Sequence, residues 1–237
     1  MATSQITRKE LKYRKLYARA LSLQIAPVLR VARDQGAAAA MGQIDLLVHA
    51  DPLADTYRRM LREIGAAESY RYRNMLLRRK DVEPGWLDYF DQFIMPIMWE
   101  RTAKKVTRIT ENTQRILKNT IQQGINDGWG VDKIARELRD MVSTRARTIA
   151  QTEVIGASNQ AAYAGAESAG ISYKKFWSTS GLQNIRASHI QAEADSYAVD
   201  GIDPHARFSN GLMHPGDPQG PPEECVNCRC SLIVIPV

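Results

Sequence analysis

The chain has 237 residues, 44% hydrophobic, 24% charged and 7% aromatic, which excludes disordered and fibrous classes and leaves room for one or two globular cores. Its longest apolar runs, such as Ile94–Trp99 and Leu232–Val237, are far too short for a bilayer core, and the first ten residues lack the apolar stretch of a signal peptide, so a soluble, cytoplasmically made product with no membrane partner is expected. The net charge of +6 is unevenly spread: residues 1–150 hold 27 Lys and Arg against 17 Asp and Glu, whereas residues 151–237 hold 5 against 9, or +10 against −4.

From Ser4 to about Gln35 the spacing predicts a helix with Tyr13, Leu16, Tyr17 and Ala20 on one face and Arg8, Lys12, Lys15 and Arg19 on another. Pro27 is expected to kink or end it. Gly36 and the run Ala37–Ala40 read as a flexible joint or fraying helix. Asp51-Pro52 starts a second helix, rich in arginine (Arg58, Arg59, Arg62, Arg71, Arg73, Arg78, Arg79) and ending before Asp81.

Pro84 suits the first turn of a third segment in which Trp86, Phe90, Ile94 and Ile97 recur every three or four residues, with a bend at Pro96. Beyond it, Val106, Ile109, Thr113, Ile116 and Thr120 form the expected inward stripe, and Lys104, Arg108, Arg115 and Lys118 a basic stripe opposite. Helical throughout, residues 85–125 would extend roughly 60 Å, a length suited to a stalk or bundle. Basic stripes of this kind are the footprint of a polyanion or an acidic protein surface, or simply solvate long helices, while the acidic C-terminal part would repel nucleic acid.

Gly128-Trp129-Gly130 breaks the helix, Val131–Met141 reads as a short amphipathic one, and Ser143 and Thr144 are placed to cap a further helix from about Arg145 to Ala169, stopped by Gly170. Its many small residues, Gly156 and Gly165 among them, allow close backbone approach. Tyr173–Ser178 reads as a strand, Arg186–Ala194 as a short helix, Asp200-Gly201 as a hairpin-type turn and Cys228–Ile235 as a final strand after the loop Asn210–Pro222. The expected fold class is α+β: an elongated, mostly helical, basic N-terminal region over residues 1–141, followed by a small α+β domain over residues 142–237.

The three cysteines, Cys225, Cys228 and Cys230, are too close and too few for a disulfide framework, which fits a reducing compartment. Thiolates and imidazoles are zinc's preferred ligands, and a structural zinc held by Cys228 and Cys230 with His189 and His214 is one reading; small buried cysteines and surface histidines are the other. Arg145 or Arg147, Ser178-Thr179-Ser180 and Gln191-Ala-Glu193 resemble the signature of mono-ADP-ribosyltransferases, but Glu193 follows Ser180 by only 13 residues, too little chain for the strands such a cleft needs. Asp195, Asp200, Asp203 and Asp217 have no spacing that favours a metal-dependent hydrolase. Dinucleotide, phosphate-loop, nucleophile-elbow and HExxH motifs are missing from the sequence.

Taken together, Arg147-Thr-Ile-Ala-Gln-Thr-Glu153, Asn159, Trp177, Arg186-Ala-Ser-His189, Phe208-Ser-Asn-Gly211, Pro215-Gly-Asp-Pro218 and Glu224-Cys-Val-Asn-Cys-Arg-Cys230 resemble, in the same order, the C-terminal domain of the phage Mu F-like head morphogenesis (minor capsid) family, over about residues 130–237. Gln151 replaces an arginine common there, and Leu182 and Asn184 replace an acid and an arginine. The resemblance implies a non-enzymatic minor head protein of a tailed phage or prophage, made in the host cytoplasm and placed in the capsid interior near the portal. It would act in head assembly and in DNA packaging, retention or ejection. Its implied partners are the portal protein, other head proteins and packaged double-stranded DNA, met through Lys104, Arg108, Arg115 and Lys118 and through Arg8, Lys12, Lys15 and Arg19. A general DNA-binding protein is the main rival.

Overall fold

The structure, a computed structural model, describes residues 3–78, 84–179 and 184–237, with side chains from residue 7 onward. Arg79, Asp81, Ser180 and Leu182 lie outside the described residues. The fold is α+β, with long helices first and a small sheet near the C-terminus: α1 (Thr3–Gln35), α2 (Ala37–Gly42), α3 (Ile44–Leu47), α4 (Asp51–Leu76), α5 (Trp86–Tyr89), a π-helical segment (Phe90–Ile94), α6 (Met95–Asn126), α7 (Val131–Glu167), β1 (Tyr173–Ser178), α8 (Ala187–Ala198), α9 (Pro222–Cys225) and β2 (Ser231–Pro236).

By internal contacts the chain divides into two compact units. One is Thr7–Arg58 with Ala103–Ala150; the other is Met1–Ile6, Arg59–Thr102 and Gln151–Val237. Each of α1, α4, α6 and α7 therefore contributes to both. Counted by unit, the first holds 19 Lys and Arg against 10 Asp and Glu, or +9, and the second 13 against 16, or −3.

The first unit is all helical. Along α1 the buried row is Tyr13, Tyr17, Leu21, Ile25, Val28 and Ala32, the three-to-four spacing of an amphipathic helix. Leu16, expected on the same face, is only half-buried. Pro27 does not end α1, which runs on to Gln35 and stops at Gly36 with φ +93°. Of the two readings of the run after Gly36, a flexible joint or a helix, the structure has the helix, the short α2.

In α6 the buried row is Val106, Thr110, Thr113, Leu117 and Ile121, so Ile109, Ile116 and Thr120 flank the inward face rather than centre it. The threonines can be buried because their hydroxyls donate back along the helix, Thr110 to the Val106 carbonyl at 3.0 Å and Thr113 to the Ile109 carbonyl at 2.8 Å. Gln24, 1% exposed, ties α1 to its neighbours by donating to the His49 carbonyl at 2.7 Å and to Thr110 Oγ1 at 3.3 Å.

The break at Gly128 (φ +66°) falls where expected, but α7 then runs unbroken for 37 residues. Ser143 and Thr144 cap nothing: without glycine or proline nearby, cap-forming residues do not interrupt a helix whose flanks Val142, Ala146, Ile149 and Ala150 are buried.

The second unit contains the sheet. β1 and β2 pair antiparallel, with Phe176 opposite Ile233 and Trp177 opposite Leu232. A buried cluster of Trp177, Phe208, Leu212, Leu232, Val234, Tyr163, Ala166 and the three cysteines lies against the sheet. The small residues of α7 work as expected here. A side chain at Gly165 would run into the backbone of Ser69 in α4, and one at Gly156 would stand 3.1 Å from the Gly216 carbonyl oxygen. Before α6, the widened π-helical turn lies where Pro96 has no N–H to donate to the preceding turn. Asp200 (φ +53°) and Gly201 (φ +93°) form no hairpin; they close the C-terminus of α8, the Gly201 N–H donating to the Ser196 carbonyl at 2.8 Å. Ile202 then bridges to Lys175 in β1.

Candidate functional site

Three segments of the second unit converge on one buried group. His189 sits in the first turn of α8, Cys228 in the loop after α9, and Cys230 one residue before β2. Asn227 in the left-handed conformation (φ +59°) turns this loop, its N–H donating to Thr152 Oγ1 of α7 at 3.0 Å. Asn159, also in α7, holds the start of β2: its Nδ2 donates to the Cys230 carbonyl at 2.9 Å and its Oδ1 accepts the Leu232 N–H at 2.9 Å.

His189 Nδ1 stands 3.4 Å from Cys230 Sγ and 3.8 Å from Cys228 Sγ, and all three residues are buried. Trp177 packs edge-on against the imidazole, ring centroids 4.9 Å apart. On its other side, His189 Nε2 lies 2.9 Å from Glu224 Oε2, off the line of an ideal hydrogen bond, and Ser188 Oγ donates to both oxygens of that carboxylate at 3.1 and 2.9 Å. The thiols form a polarised pair. The Cys228 thiol hydrogen-bonded to Cys230, helped by Trp177, holds the Cys230 thiol below its ordinary value against burial, while the same bond and burial push Cys228 up. Among the described residues this is the one cluster of three His, Cys, Asp or Glu side chains whose donor atoms could hold a metal ion, all within 4.8 Å of one another.

His214, read from the sequence as a fourth ligand, is not part of that group. It is buried beside Tyr163, ring centroids 5.9 Å apart, with Nδ1 3.2 Å from the Pro215 carbonyl, because the Pro215-Gly216-Asp217 turn points it at α7. Asp217, completely buried, organises that turn by accepting the Met213 and Gln219 N–H groups at 3.1 and 2.9 Å. Burial drives the His214 pKa down to about 4. Burial alone would raise Asp217, but His214, the two N–H donors and Arg207 outweigh it and hold the carboxyl low. Lys175 in β1, also completely buried and pulled down to about 8 by desolvation, donates to the Met213 carbonyl at 3.0 Å and lies over the Tyr163 and Phe208 rings. Asn159 stands in the sequence only as a motif residue without a role, and Lys175 is not singled out there; a lysine on the same strand face as Tyr173 and Trp177 is the available signal for it.

Those transferase-like residues that are described make local contacts. Both Glu193 oxygens are taken at the end of β1, one by the Thr179 N–H at 3.0 Å and one by its hydroxyl at 2.6 Å. Arg145 is turned into the helical unit, donating to Thr113 Oγ1 at 3.1 Å.

The basic stripes both lie in the first unit. Arg8, Lys12, Lys15 and Arg19 of α1 are exposed, as are Lys104, Arg108 and Arg115 of α6. Lys12 also lies 5.6 Å from the centroid of the Tyr13 ring, and Arg115 donates to Asn112 Oδ1 at 2.7 Å. Lys118 is half-buried and paired with Asp45 of α3 at 2.6 Å, so part of its charge is already answered. No helix among the described residues is long and apolar enough to cross a membrane.

Comparison with known proteins bears on these elements. Residues 115–233 match the family model described as Phage Mu protein F like protein, a span holding α7, β1, the start of β2 and the whole buried His–Cys group. The chain is 30% identical over 139 residues to the uncharacterized protein YqbB of Bacillus subtilis (strain 168), a stretch that covers 56% of this chain and 45% of the relative. This chain thus spans less than half the length of that relative. No solved structure matches the chain. With the family model covering half of its length, and the motif residues Asn159, Trp177, His189 and Asp217 built into one core, the chain belongs to the Phage Mu protein F like family.

Proposed function

We propose that the protein is a minor head protein of a tailed phage or prophage, held inside the capsid near the portal, where it acts in head assembly and in DNA packaging, retention or ejection. Family membership over residues 115–233 is the observation that carries this reading. The charge distribution supports a division of labour. The helical unit, at +9, presents the exposed cations of α1 and α6 to packaged DNA or to an acidic portal surface. The unit that carries the sheet, at −3, suits protein contacts and not nucleic acid. Its buried Asn159, Asp217 and Lys175 are engaged in holding backbone groups of loops and of the start of β2, which supports a structural role for them over a catalytic one.

The test is the composition of particles. Purified heads of the phage encoding this chain are expected to contain it in few copies, protected from added protease until the heads are opened. Full heads without the chain, or a chain digested on intact heads, would refute the reading. A general DNA-binding role is the second reading, favoured by the same exposed cations; it predicts tight duplex binding and no place in the particle.

A further inference from the structure

We propose that His189, Cys228 and Cys230 form a zinc site that clamps the C-terminal sheet to α8, a property that does not depend on the virion role. The distances have the right size. With Zn–S bonds of about 2.3 Å and Zn–N bonds of about 2.0–2.1 Å, a tetrahedral ion sets its sulfur and nitrogen ligands about 3.6 Å apart. The His189 Nδ1 to sulfur distances are 3.4 and 3.8 Å. The two thiols and the imidazole nitrogen face one another while shielded from solvent, each residue at most 3% exposed.

The imidazole is prepared for the task. Glu224, fixed by Ser188, stands at Nε2 and favours the tautomer that carries its proton there, which leaves the Nδ1 lone pair toward the sulfurs. Binding releases the two thiol protons to solvent, and the divalent charge is then balanced by two thiolates; a water completes the tetrahedron. The mechanical need is also plain. A two-stranded sheet is marginal by itself, and the loop before β2 is held by hydrogen bonds, among them those of Thr152 and Asn159. An ion held by His189 of α8 and by the Cys228–Cys230 loop joins two segments 39 to 41 residues apart in sequence.

The full chain, produced without a metal-affinity tag in zinc-supplemented medium and then desalted, is expected to carry about one zinc per chain by elemental analysis. His189→Ala and Cys230→Ser should lose it, Glu224→Gln should weaken retention about tenfold or more, and Cys225→Ser and His214→Ala should keep it. Cobalt(II) added to the chelated wild-type protein should give a near-ultraviolet thiolate charge-transfer band and intense visible bands of tetrahedral cobalt, a readout that requires no variant to fold. Wild-type protein with only traces of zinc and no such bands would overturn the proposal. So would zinc retained in full by folded His189→Ala and Cys230→Ser.

Discussion

Asn159 bonds the backbone on both sides of Ser231, its side-chain amide donating to the Cys230 carbonyl and accepting the Leu232 N–H, each at 2.9 Å. One α7 side chain thus sets where β2 begins and how Cys230 is presented to His189. Asn159→Leu leaves both backbone groups buried without partners and is expected to cost about 2–4 kcal/mol, read as a lower urea midpoint at unchanged slope. A loss below about 0.5 kcal/mol would contradict this role.

The fully buried His214 makes the protein acid-sensitive. Its folded pKa of about 4 lies below the 6.5 of the free side chain, so between those values the unfolded chain binds the extra proton and stability falls as pH falls. Asp217, Lys175 and Arg101 face it, and the two cations add to the cost of charging it. About 2 kcal/mol should be lost between pH 7 and pH 5 through this group. Asp217, depressed in the fold, continues the loss at lower pH as it is forced to protonate. His214→Leu should flatten the pH 5–7 portion of a urea-midpoint profile; an unchanged slope would locate the sensitivity elsewhere.

Close approach of helix backbones gives a third prediction. Gly165→Ala places a methyl against the Ser69 backbone, which cannot yield as a side chain would, and should destabilise by about 1–3 kcal/mol. Gly42→Ala, whose added methyl meets open space in α2, is the control and should be near neutral or slightly stabilising in thermal unfolding.

For the basic face, duplex DNA binding at low salt should weaken linearly on a log–log salt plot, and replacing Lys104, Arg108 and Arg115 together by glutamine should reduce the slope by about three. Lys118→Gln should matter less, since Asp45 already answers part of its charge. Salt-independent binding, or none at low salt, removes DNA as the partner of this face.

Much of this architecture was legible in the sequence, and the failures have physical causes. Glycines marked real breaks: Gly36, Gly128 and Gly170 all have positive φ and end helices. Ser143 and Thr144 misled because capping residues also occur inside helices. The α6 stripe was right at Val106 and Thr113 but elsewhere fell on the flank, because Ile109 and Ile116 are as apolar as the buried Leu117 and Ile121, and Thr110 is buried with its hydroxyl satisfied within the helix. Cys228, Cys230 and His189 were singled out by residue type. That His214 would stay apart was not readable, since its direction is set by a turn wrapped around Asp217 and packed on α7.

The association at the portal tests the account most directly. Co-expressed with the portal protein of the phage that encodes it, the chain should co-purify with the ring-shaped portal oligomer through size exclusion at physiological salt. Elution of the intact chain entirely apart from assembled portal rings, and its absence from purified heads, would contradict it.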